Sequence, residues 1–163
     1  MIATWKELEN EIEKVLRERQ RVGSTMFHRF YDTASAGNYL PAQPADFLAV
    51  HNGRAYFIEA KFSEVHETLK SCFSGAVKPN QTASAHLVKR AGAEYVFLFY
   101  SRAIDHYELW DGEYCFQQRS RGERLHLSKR RVFTSLENTI LGGVFNGSGY
   151  SLHRSSSWVK EEG

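Results

Sequence analysis

A chain of 163 residues, 42% hydrophobic and 25% charged with only 3 prolines, has the length and composition of one ordinary folded domain; this excludes disordered and collagen-like classes. Its two cysteines, Cys72 and Cys115, exclude a disulfide framework, and its seven histidines, none in a His-x-x-x-His pair, argue against zinc. The net charge of +2 excludes no partner, but the stretch from Gln117 to Arg131 sets Arg119, Arg121, Arg124, Lys129, Arg130 and Arg131 against Glu123 alone, a local excess of +5 suited to polyphosphate. The residues from Met1 to Glu7 hold no apolar leader core, and no stretch approaches the roughly eighteen apolar residues of a membrane span. The expectation is a cytoplasmic protein without a membrane partner.

Thr4 with Glu7 forms a capping-box pattern, and Leu8, Ile12, Val15 and Leu16 recur at helical spacing, predicting a first helix that runs to about Arg21 and stops near Gly23. Met26 to Tyr31 reads as a short strand, and Thr33 to Gln43 as a loop. Ala45–His51, the turn Asn52-Gly53 and Arg54–Phe62 form a hairpin, because Asn-Gly between apolar runs favours a two-residue turn. Ser63 to Val77 reads as a partly helical, mobile connection. Pro79 opens a helix at its favoured first-turn position, ending at Gly92. Glu94 to Tyr100 is almost continuously apolar and should be a central strand covered on both faces. A second hairpin is expected, with His106–Trp110 and Glu113–Phe116 as strands about Asp111-Gly112 and Trp110 packed inside. Beyond Gln117 the pattern weakens, and Gly147 to Ser157 reads as an irregular polar tail. The element order implies an α/β domain on one mixed sheet.

The first hairpin carries the chemistry. A two-residue turn pairs His51 with Arg54, and continuing that register sets Val50 against Ala55, Leu48 against Phe57 and Asp46 against Glu59. Alternation then places Asp46, Glu59 and Lys61 on one face, while Phe47, Ala49, Ile58 and Ala60 face a core. Opposed carboxylates with Cβ atoms roughly 4.5–5.5 Å apart repel, and a divalent cation between them relieves the repulsion. Lys61 on the same face could hold an attacking water or offset charge on a phosphate. As a bare Glu-x-Lys pattern these residues fit a solvent-facing pair better than a site; Asp46 across the hairpin and the run Tyr56-Phe57-Ile58 before Glu59 reverse the balance.

Pro44-Ala45-Asp46 followed by Glu59-Ala60-Lys61 resembles the signature of the PD-(D/E)XK nuclease superfamily, with the proline displaced by one position. That resemblance implies an αβββαβ restriction-endonuclease-like core and phosphodiester hydrolysis with Mg2+ or Mn2+. It also implies a first-helix carboxylate at the metal, for which Glu9 and Glu13 are both candidates, and a Gln at the second helix, matching Gln81 in Lys78-Pro79-Asn80-Gln81. The span from about residue 5 to 110 is similar to RecU-type Holliday-junction resolvases and related phage endonucleases, without a clear equivalent of their stalk. The resemblance therefore implies a metal-dependent endonuclease with Asp46, Glu59, Lys61, Gln81 and Glu9 in its site and the metal on Asp46, Glu59 and Glu9.

Branched DNA is the expected partner, acted on by a homodimer in a bacterial or phage-infected cell. The alternatives are a restriction-type or repair nuclease on duplex or flap DNA, or a non-catalytic DNA-binding domain. Lys78, Lys89, Arg90, Arg102 and the basic residues of 119–131 are candidate DNA contacts. Tyr31, Tyr39 and Tyr56 could stack on bases or pack in the core, and His66 and His86 read as surface or structural. The whole of 1–163 is expected to be a single nuclease domain, with its core at about 4–116 and a basic, less regular extension at 117–163.

Overall fold

The structure is a computed structural model and describes residues 1–31 and 43–146. Most of the loop expected at 33–43, with Tyr39, and the tail expected at 147–157 lie outside the described residues.

Helix α1 (Trp5–Arg21) starts where Thr4 Oγ1 accepts from the Glu7 amide at 3.1 Å. The Glu7 carboxylate reaches back to the Ala3 amide at 2.6 Å. Leu8, Ile12 and Leu16 are fully buried, and burial of each is worth roughly 1.5–3 kcal/mol. Strands β1 (Thr25–Arg29), β2 (Phe47–His51) and β3 (Arg54–Ser63) form an antiparallel meander. The β2–β3 register is the expected one, from His51 opposite Arg54 to Phe47 opposite Ile58. Asn52 (φ 49°) and Gly53 (φ 75°) both take the positive φ that such a tight turn requires.

The connection after β3 contains helix α2 (Leu69–Ala76), capped by Thr68 Oγ1 and fixed by the buried Leu69 and Val77. Helix α3 (Pro79–Arg90) leads to β4 (Glu94–Ser101), which runs parallel to β3 and is buried from Tyr95 to Ser101. β5 (His106–Asp111) returns antiparallel to β4. The described strands form one sheet in the order β1-β2-β3-β4-β5-β6, with β6 (Arg131–Phe133) at its edge.

The expected strand at Glu113–Phe116 is a helix instead. Helix α4 (Gly112–Arg121) begins on Asp111, whose carboxylate accepts from the Tyr114 amide at 3.1 Å. Asp-Gly here is a helix cap, not a hairpin turn. Gly112 is required by packing: a Cβ there would lie 2.8 Å from Ala85 Cβ and 2.9 Å from the Tyr95 carbonyl oxygen. The true hairpin is β4–β5, and Trp110 is buried within it.

Alternation divides the core. Tyr56, Ile58, Val96, Leu98 and Leu109 meet α1 and the closing helical segment, where Leu136–Asn138 runs into a π-helical stretch, Thr139–Val144. Tyr95, Phe97, Phe99 and Trp110 point the other way, toward Leu69, Val77, Ala85 and Cys115 of the helical layer. No helix among the described residues is long and apolar enough to cross a membrane.

Candidate active site

β3 outruns its neighbour. The β2–β3 ladder ends at Phe47 and Ile58, whereas β3 continues beside β4 to Ser63. Among the described residues, 59–63 therefore face a notch on the side where β2 has stopped. Asp46 stands at its mouth. Its amide donates to the Ile58 carbonyl at 3.1 Å, and its carbonyl accepts from the Phe30 amide at 2.8 Å. The Asp46 carboxylate accepts from the Ala60 amide at 2.7 Å, taking the place of the next strand carbonyl. The regular ladder thus stops one pair short of the expected Asp46–Glu59 pair, and Asp46 reaches β3 through its side chain.

Glu59 is only 6% exposed. Its Oε1 accepts from Gln81 Nε2 at 2.5 Å and lies 3.0 Å from Lys61 Nζ. Gln81 Oε1 in turn accepts from the Lys78 amide at 2.9 Å, so one side chain ties the start of α3 to the Glu59 carboxylate. The structure brings Glu59, Lys61 and Gln81 into contact, with Asp46 bonded to the intervening Ala60 amide.

Burial pushes Glu59 up to about 7; the Asp46 charge adds to this, and Lys61 opposes it. Burial also raises Asp46, against the Ala60 hydrogen bond and the charges of Lys61 and Arg29. Tyr95 donates from its hydroxyl to the Pro44 carbonyl at 2.7 Å, anchoring the approach to Asp46. Burial, with the Glu59 and Asp46 charges, holds that phenol far above its ordinary range.

The first-helix acids lie at the edge of this group. Arg29 donates to Glu9 at 2.7 Å, to Glu13 at 2.7 Å and to Asn10 at 2.9 Å. Glu9 is close enough for its charge to raise Glu59, and Arg29 close enough to lower Asp46. Sequence reasoning passed over Arg29. The signal was there: Phe27 packs against the core, and two residues on, alternation puts a guanidinium on the same side, facing the Glu9–Glu13 stripe. Tyr95 left no comparable signal, being one aromatic in an aromatic strand.

The donor set suits a hard divalent cation. The notch holds two carboxylates, Asp46 and Glu59, the charge of the first raising the second, and carboxylate oxygens are the ligands that Mg2+ takes. No group of three or more His, Cys, Asp or Glu side chains among the described residues is gathered to hold a metal. A cation on Asp46 and Glu59 would keep several waters, as Mg2+ commonly does.

The basic run divides in two. Arg119 donates to the Val77 carbonyl at 2.5 Å and stacks on Phe73; Arg130 meets the buried Glu108 at 2.5 Å; Arg131 donates to the Gly143 carbonyl at 2.9 Å. These three hold the fold together, whereas Arg121, Arg124 and Lys129 are exposed. Lys78 is exposed beside Gln81, Arg90 is exposed at the far end of α3, Lys89 pairs with Glu94, and Arg102 pairs with Glu64. Tyr56 is core and Tyr31 is exposed. His86 stacks on Phe116 and bonds Glu113, and His66 is exposed.

Glu108 was not singled out in the sequence. It is fully buried and accepts from the Leu69 amide at 3.1 Å, from Trp110 Nε1 at 2.7 Å and from Arg130. It fixes the start of α2 over the sheet.

No family model matches the sequence, and no curated protein matches it. Among solved structures, the chain is similar to Hjc, a Holliday junction resolvase from the archaeal hyperthermophile Archaeoglobus fulgidus, at 14% identity and a TM-score of 0.41. That match covers 64% of this chain and 77% of the other.

Proposed function

We propose that this chain is a divalent-cation-dependent DNA endonuclease of the PD-(D/E)XK type. The observation that carries the reading is the notch beside β3, where the half-buried Asp46 bonds the Ala60 amide and the buried Glu59 meets Lys61 and Gln81. Two acids drawn away from water, the charge of one raising the other, are unfavourable without a cation.

Asp46 and Glu59 are the residues that hold Mg2+ or Mn2+, which when bound polarises a phosphoryl oxygen and lowers the pKa of a coordinated water. Lys61 orients the attacking water and offsets charge on the phosphate as the bond to phosphorus forms. Gln81 keeps Glu59 turned toward the notch from the start of α3. Arg121, Arg124, Lys129 and Lys78 supply salt-sensitive phosphate contacts. Branched DNA is the proposed substrate, cut in the manner of RecU-type resolvases by a homodimer.

The test is one gel. Labelled four-way junction, flap, single strand and duplex are offered to wild type and to Asp46→Ala, with Mg2+ or with chelator. The proposal expects Mg2+-dependent cutting of the junction by wild type only. Equal cutting by the variant would remove the site assignment. Equal cutting of linear duplex would replace the resolvase reading with a restriction-type or repair nuclease, and DNA binding without any cutting would leave a binding domain.

A further inference from the structure

The chain bends at Pro44 and again at Asp46 before it enters β2, and these bends decide where the Asp46 carboxylate points. The β2–β3 register begins only at Phe47, so the ladder gives the Pro44 carbonyl no strand neighbour. Tyr95 reaches that carbonyl from β4, two strands away in the sheet order, and its hydroxyl donates to it at 2.7 Å. The Tyr95 ring is 1% exposed and lies parallel to Phe57 of the intervening strand, with centroids 6.4 Å apart. Ala45 is buried in the same core cluster as Tyr95, Val77 and Ala85. One hydroxyl and one methyl therefore pin the two residues before Asp46. Gly112 makes room for the ring, since a Cβ there would stand 2.7 Å from Tyr95 Cδ1.

Packing does not call for the hydroxyl. Phe97 and Phe99, the next residues of β4 on the same face, fill the same layer without one. A buried hydroxyl is costly unless it is hydrogen-bonded, so packing alone favours phenylalanine at position 95. We propose that Tyr95 is a positioning residue for Asp46: its bond to the Pro44 carbonyl fixes the bend, and the bend delivers the Asp46 carboxylate to the Ala60 amide, at 2.7 Å, one residue from Glu59. Tyr95 then does for Asp46, from β4, what Gln81 does for Glu59 from α3. A site that binds through two carboxylates needs both held to within about 0.5 Å, and each acid has its own brace. The consequence for cation binding rests on the notch being the site proposed above; the consequence for the Asp46 conformation does not.

The test compares the full chain as wild type, Tyr95→Phe and Tyr114→Phe, with each fold checked by circular dichroism. Tyr114 is the control: its hydroxyl also bonds backbone, accepting from the His126 amide at 2.8 Å, but it sits on α4 and pins no residue of the notch. Two readings are taken. Amide hydrogen exchange at Ala60, followed by nuclear magnetic resonance in chelator, reports the Asp46 carboxylate directly. A Mn2+ titration, reading free hexaaqua Mn2+ by electron paramagnetic resonance, reports the site. Ala60 should exchange about tenfold faster in Tyr95→Phe than in Tyr114→Phe. Mn2+ affinity should fall about tenfold in Tyr95→Phe, the size seen when a group that supports a metal ligand is removed, and stay within about threefold of wild type in Tyr114→Phe. Ala60 exchange within about threefold in the two variants would overturn the inference, and so would unchanged Mn2+ affinity in Tyr95→Phe. A Tyr95→Phe chain that does not fold would also overturn it, because the hydroxyl would then support the whole fold. These failures leave the nuclease reading standing. Wild type that binds no Mn2+ would overturn the cation site, and with it the role of Tyr95 toward a cation.

Discussion

Replacing Glu59 by Gln should make the cation-free protein more stable at neutral and alkaline pH. The folded protein raises Glu59 from its ordinary 4.5 to about 7, chiefly by burial and then by the charge of Asp46. An acid whose folded pKa lies above its unfolded one favours the unfolded state once it ionises. The penalty is near zero well below pH 4.5, grows between the two values and is complete above about 7. At 1.36 kcal/mol per unit it reaches about 3 kcal/mol at pH 8, about 2 kcal/mol at pH 6 and under about 0.5 kcal/mol at pH 4.5. Glutamine imitates the protonated acid, and its Oε1 can still accept from Gln81 Nε2. Urea unfolding of wild type and Glu59→Gln in chelator, at pH 4.5, 6 and 8, measures the difference. The variant should be more stable at pH 8, with the gap closing on acidification. Adding Mg2+ at pH 8 should stabilise wild type and leave the variant unchanged. A variant less stable than wild type at pH 8, or a gap independent of pH, would refute the account of a strained buried charge.

Gln81→Ala removes the bridge between the Lys78 amide and Glu59. A loss of about 1–2 kcal/mol of stability is expected in urea, together with a drop of about tenfold or more in single-turnover cutting, which corresponds to about 1.4 kcal/mol in the barrier. Glu108→Ala leaves Arg130 and Trp110 Nε1 without their buried acceptor. It should destabilise by about 3–5 kcal/mol, the range for breaking a buried ion pair, while Glu108→Gln should recover part of the loss in the same melt. Exchanging Arg121, Arg124 and Lys129 together for Ala should leave stability within about 1 kcal/mol and reduce the slope of log affinity for duplex against log salt by up to about 2.7. Arg119→Ala should do the reverse, lowering stability and leaving the slope alone.

The β2–β3 hairpin was legible because its signals are local. Asn52-Gly53 sets the turn, the turn sets the register, and the register places Glu59 and Lys61 on one face. The start of α3 was legible through Pro79, and the family resemblance singled out Gln81 there. Asp111-Gly112 misled because the same dipeptide serves as a hairpin turn or as a helix cap with room for close packing; the choice depends on Ala85 and Tyr95, far away in sequence. The basic run misled in part for a similar reason. Charge is visible in sequence, but whether an arginine faces solvent or a buried carbonyl is decided by Val77, Glu108 and Gly143. The bonds from Arg29 to Glu13 and Glu9 join residues 16 and 20 positions apart, beyond the reach of either helical or strand periodicity taken alone.

The most direct test of the central claim uses the variant expected to be the more stable. Single-turnover cutting of labelled branched DNA in Mg2+ at pH 8 should fall by a factor of about 1,000 or more in Glu59→Gln, about 4 kcal/mol in the barrier, although that protein is folded and resists urea better than wild type. Loss of cutting in a stabilised protein places Glu59 in the chemistry; cutting at the wild-type rate would contradict the assignment of the notch as a cation-dependent nuclease site.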